Sequence, residues 1–261
     1  MRRQYTFNTG DVMYHLGIKY AHPNVLTAGS SGRIAKFVNY LEKPEVIESD
    51  RKLVTVHGTY KGMLVTATTT GMGPASVSIT LPEVIEACDA DKMTIIRLGT
   101  SGGLRKHQKI GDFVVTTDVE HAESTSEKIM GKGYFGRASP AVVDTLVDFA
   151  QNFALPSQKV YQGTNRTTDD IYFDAMETKK LAKEGRLSAI TVSMEAGPHF
   201  ALRDRYNQDQ KREIRAGELL VVSDIVVAEE HPDMTEFLKN KDKIEDAHIR
   251  IGLEALLALQ R

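Results

Sequence analysis

Apolar positions recur along this chain in two rhythms: short runs dense in β-branched residues, and longer stretches that place an apolar residue every three or four positions. Val25 to Ala28 is a short apolar run ending in Gly29-Ser30-Ser31-Gly32, and a helical pattern follows from Arg33 to Leu41. Leu53 to Tyr60 and Met63 to Thr70 flank Lys61-Gly62, which predicts a hairpin. Gly71-Met72-Gly73-Pro74 opens a predicted helix through Cys88, with proline near the first turn, where its missing N–H costs nothing. Met93 to Leu98 predicts a strand that enters a glycine-rich turn, Gly99 to Gly103. Phe113 to Val119 predicts another strand, and the polar, glycine-rich stretch from His121 to Ala138 a loop. Pro140 to Phe153 has the spacing of an amphipathic helix, Lys159 to Gly163 of a strand, and Thr164 to Asp170 of a polar loop. Ala189 to Ser193 predicts a strand before a helix from Glu195, and Glu218 to Ser223 a strand with Asp224 at its end. The mixed charges of Arg203 to Arg215 predict a solvated loop or helix end. A last helix is predicted from near Asp233, with Ile244, His248, Ile251 and Ala255 on one stripe.

Strands alternating with helices predict an α/β sandwich around one central sheet. No Pro/Gly/Ser-rich linker divides the chain, so residues 1–261 are expected to form one domain. The 261 residues and 41% apolar content are enough for a sizeable core. A net charge of −2 provides no global field for nucleic acid or an anionic membrane, and neither is an expected partner. The single cysteine, Cys88, excludes an internal disulfide and fits a reducing compartment, where a buried small residue is the expected role. The polar Met1 to Gly10 stretch does not resemble a signal peptide, and no apolar run approaches the roughly 20 residues of a membrane span. A cytoplasmic enzyme or binding protein is the expected class.

The chemistry gathers at predicted strand ends, where α/β sheets bind ligands. Arg97 follows an apolar run and precedes Gly99-Thr100-Ser101-Gly102-Gly103. A strand of Met, Ile and Leu rarely buries an arginine without an anion, so the segment predicts an oxyanion site, with phosphate first. Gly29 to Arg33, Ser193 to Glu195, and Ser223-Asp224 fall at the ends of other predicted strands. Asp118, Glu120, His121 and Glu123 cluster in sequence but lack metal-ligand spacing, and no metal is expected.

Together these motifs resemble the nucleoside phosphorylase family, which includes uridine phosphorylase and the hexameric type of purine nucleoside phosphorylase. The resemblance runs from Tyr14-His15-Leu16-Gly17 through Gly29–Arg33, Gly71–Ser76, the Arg97 segment and Ser193-Met194-Glu195-Ala196 to Val221-Val222-Ser223-Asp224. It implies a three-layer α/β/α sandwich with a central mixed sheet. It implies cleavage of a nucleoside by inorganic phosphate to free base and ribose 1-phosphate, with no other cofactor. By resemblance, phosphate is held by Gly29, Arg33, Arg97, Gly99, Thr100 and Ser101, with Arg51 reaching in from a neighbouring subunit. Ribose is held by Met194 and Glu195, and by His15 across the same interface. A homo-oligomer follows, with a dimer as the minimal unit and a hexamer as the common family form. Arg97, Glu195 and Asp224 are the expected catalytic residues, with Asp224 at purine N7, where partial burial is expected to make it an acid. Taken singly, Arg51 also reads as a surface ion pair, Glu195 as a helix-terminal acid, Asp224 as a cap and His15 as structural.

The chain departs from the family in three places. Ala196-Gly197-Pro198-His199 replaces the usual small and β-branched continuation. The stretch from Asp170 to Glu177 lacks the glutamine and arginine of the uridine branch, leaving Tyr172 or Phe173 to stack on a base. Ile225 to Glu230 lacks the arginine that usually assists the purine-branch aspartate. A purine nucleoside is the expected substrate. Uridine is the alternative, and a hydrolase of the AMP or methylthioadenosine nucleosidase kind the next.

Overall fold

Along β1 (Asn24–Ala28) and β5 (Lys92–Gly103), neighbouring side chains point to opposite faces of the sheet. Val25 and Ile95 join one apolar cluster, Leu26 and Ile96 another. All four are buried, worth about 1.5–3 kcal/mol apiece. Strands buried on both faces require a layer on each side. The computed structural model, which describes residues 5–7, 10–229 and 234–260, supplies both layers. On one side lie α2 (Gly73–Ala87), α3 (Thr125–Met130) and α6 (Ala196–Gln210), packed through Leu81, Ile85, Leu202 and Tyr206. On the other lie α1 (Ser31–Ala35), α4 (Pro140–Phe153) and α7 (Thr235–Leu259), packed through Ile34, Leu146, Ile251 and Leu253.

The remaining strands are β2 (Glu42–Glu48), β3 (Val54–Tyr60), β4 (Met63–Thr69), β6 (Phe113–Ala122), β7 (Val160–Thr168), β8 (Thr191–Ser193) and β9 (Glu213–Ile225). The sheet runs β2-β3-β4-β1-β5-β8-β7-β6-β9, and β5 also pairs with β9, so its second half closes on itself. Parallel pairs (β1–β4, β1–β5, β5–β9) and antiparallel ones (β2–β3, β5–β8, β6–β9) coexist, so the sheet is mixed, as expected. The β3–β4 hairpin turns at Lys61 (φ 49°) and Gly62 (φ 84°), both left-handed, as a tight two-residue hairpin demands. No described helix is long and apolar enough to cross a membrane.

Five local expectations are corrected. Gly99 to Gly103 is not a turn: it continues β5, pairing with β9 from Gly99↔Leu220 onward. Its glycines serve packing, since a Cβ on Gly99 would strike the Arg97 guanidinium and one on Gly102 would lie 2.6 Å from Val226. Thr164 to Thr168 likewise stays in β7, with the polar side chains of Asn165 to Thr168 buried. Within 121–138, β6 runs on to Ala122 and α3 follows. The helix expected from Arg33 to Leu41 is α1 followed by a 3₁₀ turn, Lys36–Asn39. Arg203 to Arg215 is the end of α6 and the start of β9, with Arg203 and Arg212 buried; Arg212 donates to the carbonyls of Ile85, Cys88 and Ala90. Edge strand β2, charged and containing Pro44, lacks the apolar signal of a strand because almost all of it faces solvent. Asp233 lies outside the described residues.

Candidate active site

The carboxyl ends of β1, β5, β8 and β9 open on one cleft of about 810 Å³, which α5 (Phe173–Lys183) borders. Gly29, Arg33, Arg97, Gly99, Thr100 and Ser101 line it, as do Met194, Glu195 and Asp224. Four separate strand ends thus converge as the sequence suggested.

Arg97, Gly99 and Ser101 share one face of β5. The guanidinium folds back over Gly99, and Arg97 is only 3% exposed. Its Nη1 donates to Glu218 Oε1 at 2.8 Å, and its Nη2 donates to Glu195. Glu218 stands opposite Arg97 in the β5–β9 register and is wholly buried. Glu218 Oε2 also accepts the Thr116 hydroxyl at 2.6 Å and the Asn165 amide at 3.3 Å. One cation therefore sits between two buried carboxylates. Burial works against the Arg97 charge, but Glu195 and Glu218 outweigh it and push its pKa up. Burial raises the Glu218 carboxyl, against the pull of Arg97 and Thr116.

Arg33 donates from Nη1 to the Leu98 carbonyl at 2.9 Å, and its Nε lies 3.8 Å from Glu245. Burial lowers its pKa; Glu245 counters and the Arg97 charge adds to the lowering. Arg33 Nε, Arg97 Nε and Ser101 Oγ are buried without a hydrogen-bond partner. Buried donors are ordinarily satisfied, and leaving one unpaired costs about 1–3 kcal/mol. Two neighbouring guanidinium groups with spare donors are what an oxyanion would relieve.

Glu195 occupies the N-cap position of α6, yet its side chain does not cap that helix. Oε1 accepts the Gly73 N–H at 2.9 Å and Oε2 meets Arg97. Gly73 has φ +83°, a left-handed conformation that opens α2 toward the carboxylate. Asp224 is exposed rather than partly buried, because β9 carries it past the closed part of the sheet. Its Oδ1 accepts the Ile225 N–H at 2.8 Å.

The structure does not bring every predicted residue into the cleft. Tyr172 and Phe173 are 83% and 80% exposed at the start of α5; Ile171, Asp174 and Met176 from the same stretch line the cleft instead. His15 lies outside it, its Nδ1 2.7 Å from Glu83 Oε1, with its backbone N–H also on Glu83. Arg51 lies beside it, its guanidinium 5.8 Å from the Tyr14 ring centroid, and the Tyr14 and His15 rings are 4.9 Å apart. The acidic cluster is used locally: Asp118 accepts the Thr164 hydroxyl, Glu120 pairs with Arg166, and Glu123 with His121. Sequence reasoning missed Glu218 and Lys179. Glu218 carries the signal that exposed Arg97, a charge inside an apolar strand, whereas Lys179 lies on a helix rich in exposed charge.

The Phosphorylase superfamily profile matches residues 23–258. The chain is 29% identical over 244 residues to a guanosine phosphorylase of Halorubrum lacusprofundi, covering 91% of this chain and 94% of that one. It is 30% identical over 245 residues to a DeoD-type purine nucleoside phosphorylase of Clostridium perfringens, covering 91% and 99%. Among solved structures it shares its fold with a purine nucleoside phosphorylase of Toxoplasma gondii (TM-score 0.79, 23% identity, 98% and 99% coverage). It also matches a uridine phosphorylase of Vibrio fischeri (TM-score 0.77, 21% identity, 96% and 98% coverage).

Proposed function

Because the chain belongs to the phosphorylase superfamily, we propose that this cleft carries out phosphorolysis of a purine nucleoside, a pentosyl transfer to inorganic phosphate. An oxygen of hydrogen phosphate attacks C1′ of the sugar, and the bond to N9 breaks with its electron pair going to the base. The base takes up at N7, through solvent, the proton that hydrogen phosphate loses, and ribose 1-phosphate and free purine leave. The reading rests on one observation: Arg33 Nε, Arg97 Nε and Ser101 Oγ are buried without a hydrogen-bond partner, in residues that line the same cleft. Phosphate satisfies them and draws Arg97 Nη2 from Glu195, while Glu218 keeps Nη1. Glu195 is then free to accept the two vicinal ribose hydroxyls and to favour the positive charge that grows on the sugar. Met194 packs beneath the ribose, and the Asp224 carboxylate accepts the N–H of the base once N7 is protonated. No cofactor besides phosphate is needed.

Purine rather than uridine is supported by the purine and guanosine phosphorylases among the relatives, and by the absence of the uridine-branch glutamine and arginine between Asp170 and Glu177. The Arg51–His15 cluster is assigned to a neighbouring subunit's cleft, which makes the protein an obligate homo-oligomer, a dimer at least. The test is a panel of inosine, adenosine, guanosine, methylthioadenosine and uridine, each with and without phosphate. Purine release that requires phosphate is expected. Base release in phosphate-free buffer makes the protein a hydrolase, and release of uracil alone overturns the purine assignment.

A further inference from the structure

Among the described residues three cationic side chains line the cleft, Arg33, Arg97 and Lys179, and the phosphorolysis reading uses only the first two of them. Lys179 is half-buried in the middle of α5. Its Nζ donates to the Ala228 carbonyl at 2.5 Å. The Ala228 N–H in turn donates to the Ile225 carbonyl at 3.0 Å, so the group holding the ammonium is fixed within one tight turn of Asp224. An ammonium has three donors and no acceptor. One goes to Ala228. The nearby carboxylate on α5 does not take the others: Asp174 is engaged by Arg166 at 3.0 Å and by the Thr178 hydroxyl at 2.7 Å. Nor is Lys179 needed to tie α5 to the loop after β9, since Lys183, one turn on, pairs with Glu229 there at 3.3 Å.

Resting on the phosphorolysis reading, we infer that Lys179 donates to the oxygen at position 6 of a 6-oxopurine nucleoside, so that the cleft selects inosine- and guanosine-type substrates over adenosine-type ones. Lining the same cleft, Asp224 supplies an acceptor and Lys179, held on the turn that follows it, a cationic donor. That pair complements a purine edge with N7 protonated and O6 carrying part of the negative charge that develops as the C1′–N9 bond breaks. No proton leaves the ammonium; it stabilises charge in place. A 6-amino group turns N–H donors toward the same ammonium, which leaves a partly desolvated cation with no acceptor besides the Ala228 carbonyl.

The experiment compares kcat/KM for inosine, guanosine and adenosine at saturating phosphate in the wild type, Lys179→Met and Lys179→Arg. The wild type is expected to favour both 6-oxopurines by at least about tenfold. Lys179→Met is expected to lose about 10- to 100-fold on them and less than about threefold on adenosine, while Lys179→Arg keeps the preference. A lysine that merely clasps α5 would lower all three substrates together, so an unchanged ratio in Lys179→Met overturns the assignment, as does a wild type that prefers adenosine. A wild type inert toward all three with phosphate overturns the reading of the cleft as a purine nucleoside phosphorylase. If Lys179→Met does not fold, Lys179→Gln carries the same comparison.

Discussion

Arg97 is held by the residue across from it in the sheet as firmly as by any residue of the cleft. Substituting it is a blunt probe, because it strands two buried carboxylates at a cost of about 3–5 kcal/mol. Glu218→Gln is sharper. The amide oxygen can still accept from Thr116 and Asn165, but the charge that anchors Arg97 Nη1 is gone. Arg97 then settles on Glu195, and phosphate must break that contact alone. We expect KM for phosphate to rise about tenfold, the loss of about 1.4 kcal/mol of binding, while nucleoside KM at saturating phosphate moves less than about threefold. Initial rates with each substrate varied in turn check this. Equal changes in both constants, or a fall in kcat alone, would mean that Glu218 only supports the fold.

At the scale of elements, what could be read in advance depended on which way polar residues faced. β1, α2, α4 and the hairpin were legible because they obey ordinary periodicity and turn chemistry. The strand ends bearing Arg33, Arg97, Glu195 and Asp224 were legible because charged residues there interrupt or close apolar runs. The polar half of β7 and the glycine end of β5 were not, since glycine, threonine and asparagine normally mark exposed turns. Here they stay in the sheet because their polar groups meet one another: Asn165 donates to Ser193 at 3.0 Å, and the Gly197 N–H to Thr167 at 3.0 Å. The departure at Gly197 has a cause of the same kind. A Cβ there would lie 2.8 Å from Glu123 Oε1 and 2.9 Å from Ser126 Oγ, so the polar contact between α3 and α6 admits only glycine without a shift. Tyr172 and Phe173 misled because an aromatic in a loop suggests a stacking surface, whereas the onset of α5 turns both outward.

For the whole molecule, two properties follow from groups spread across its layers. The first is acid lability. Burial, reinforced by His22, lowers the His57 pKa to about 4; burial and the charges of Arg97 and Arg203 lower His199 to about 3; burial and Arg33 lower His248 to about 3. All three stay neutral when folded and take protons near pH 6.5 when unfolded. The unfolded chain therefore binds more protons below that value, and stability is lost as pH falls, by up to about 4 kcal/mol per unit near pH 5. Glu218, with its pKa raised by burial, opposes this slope, since the folded chain holds its proton more tightly. Urea midpoints between pH 7 and 5 should drop steeply; a flat profile would mean these histidines are not held neutral. The second property is shared sites. Arg51 and His15 lie together beside the exposed rings of Phe7 and Tyr14, outside the cleft of their own chain. If they complete a neighbour's cleft, Arg51→Ala on one chain and Glu195→Ala on the other fall in the same site of a mixed dimer and leave its second site intact. Each variant alone is then nearly inactive. Coexpressed in equal amounts, half the dimers are mixed and each has one intact site, so about a quarter of wild-type activity returns. Were every group to act within its own chain, no mixture of the two inactive variants would recover turnover, and the assignment of Arg51 to a partner's phosphate would fail.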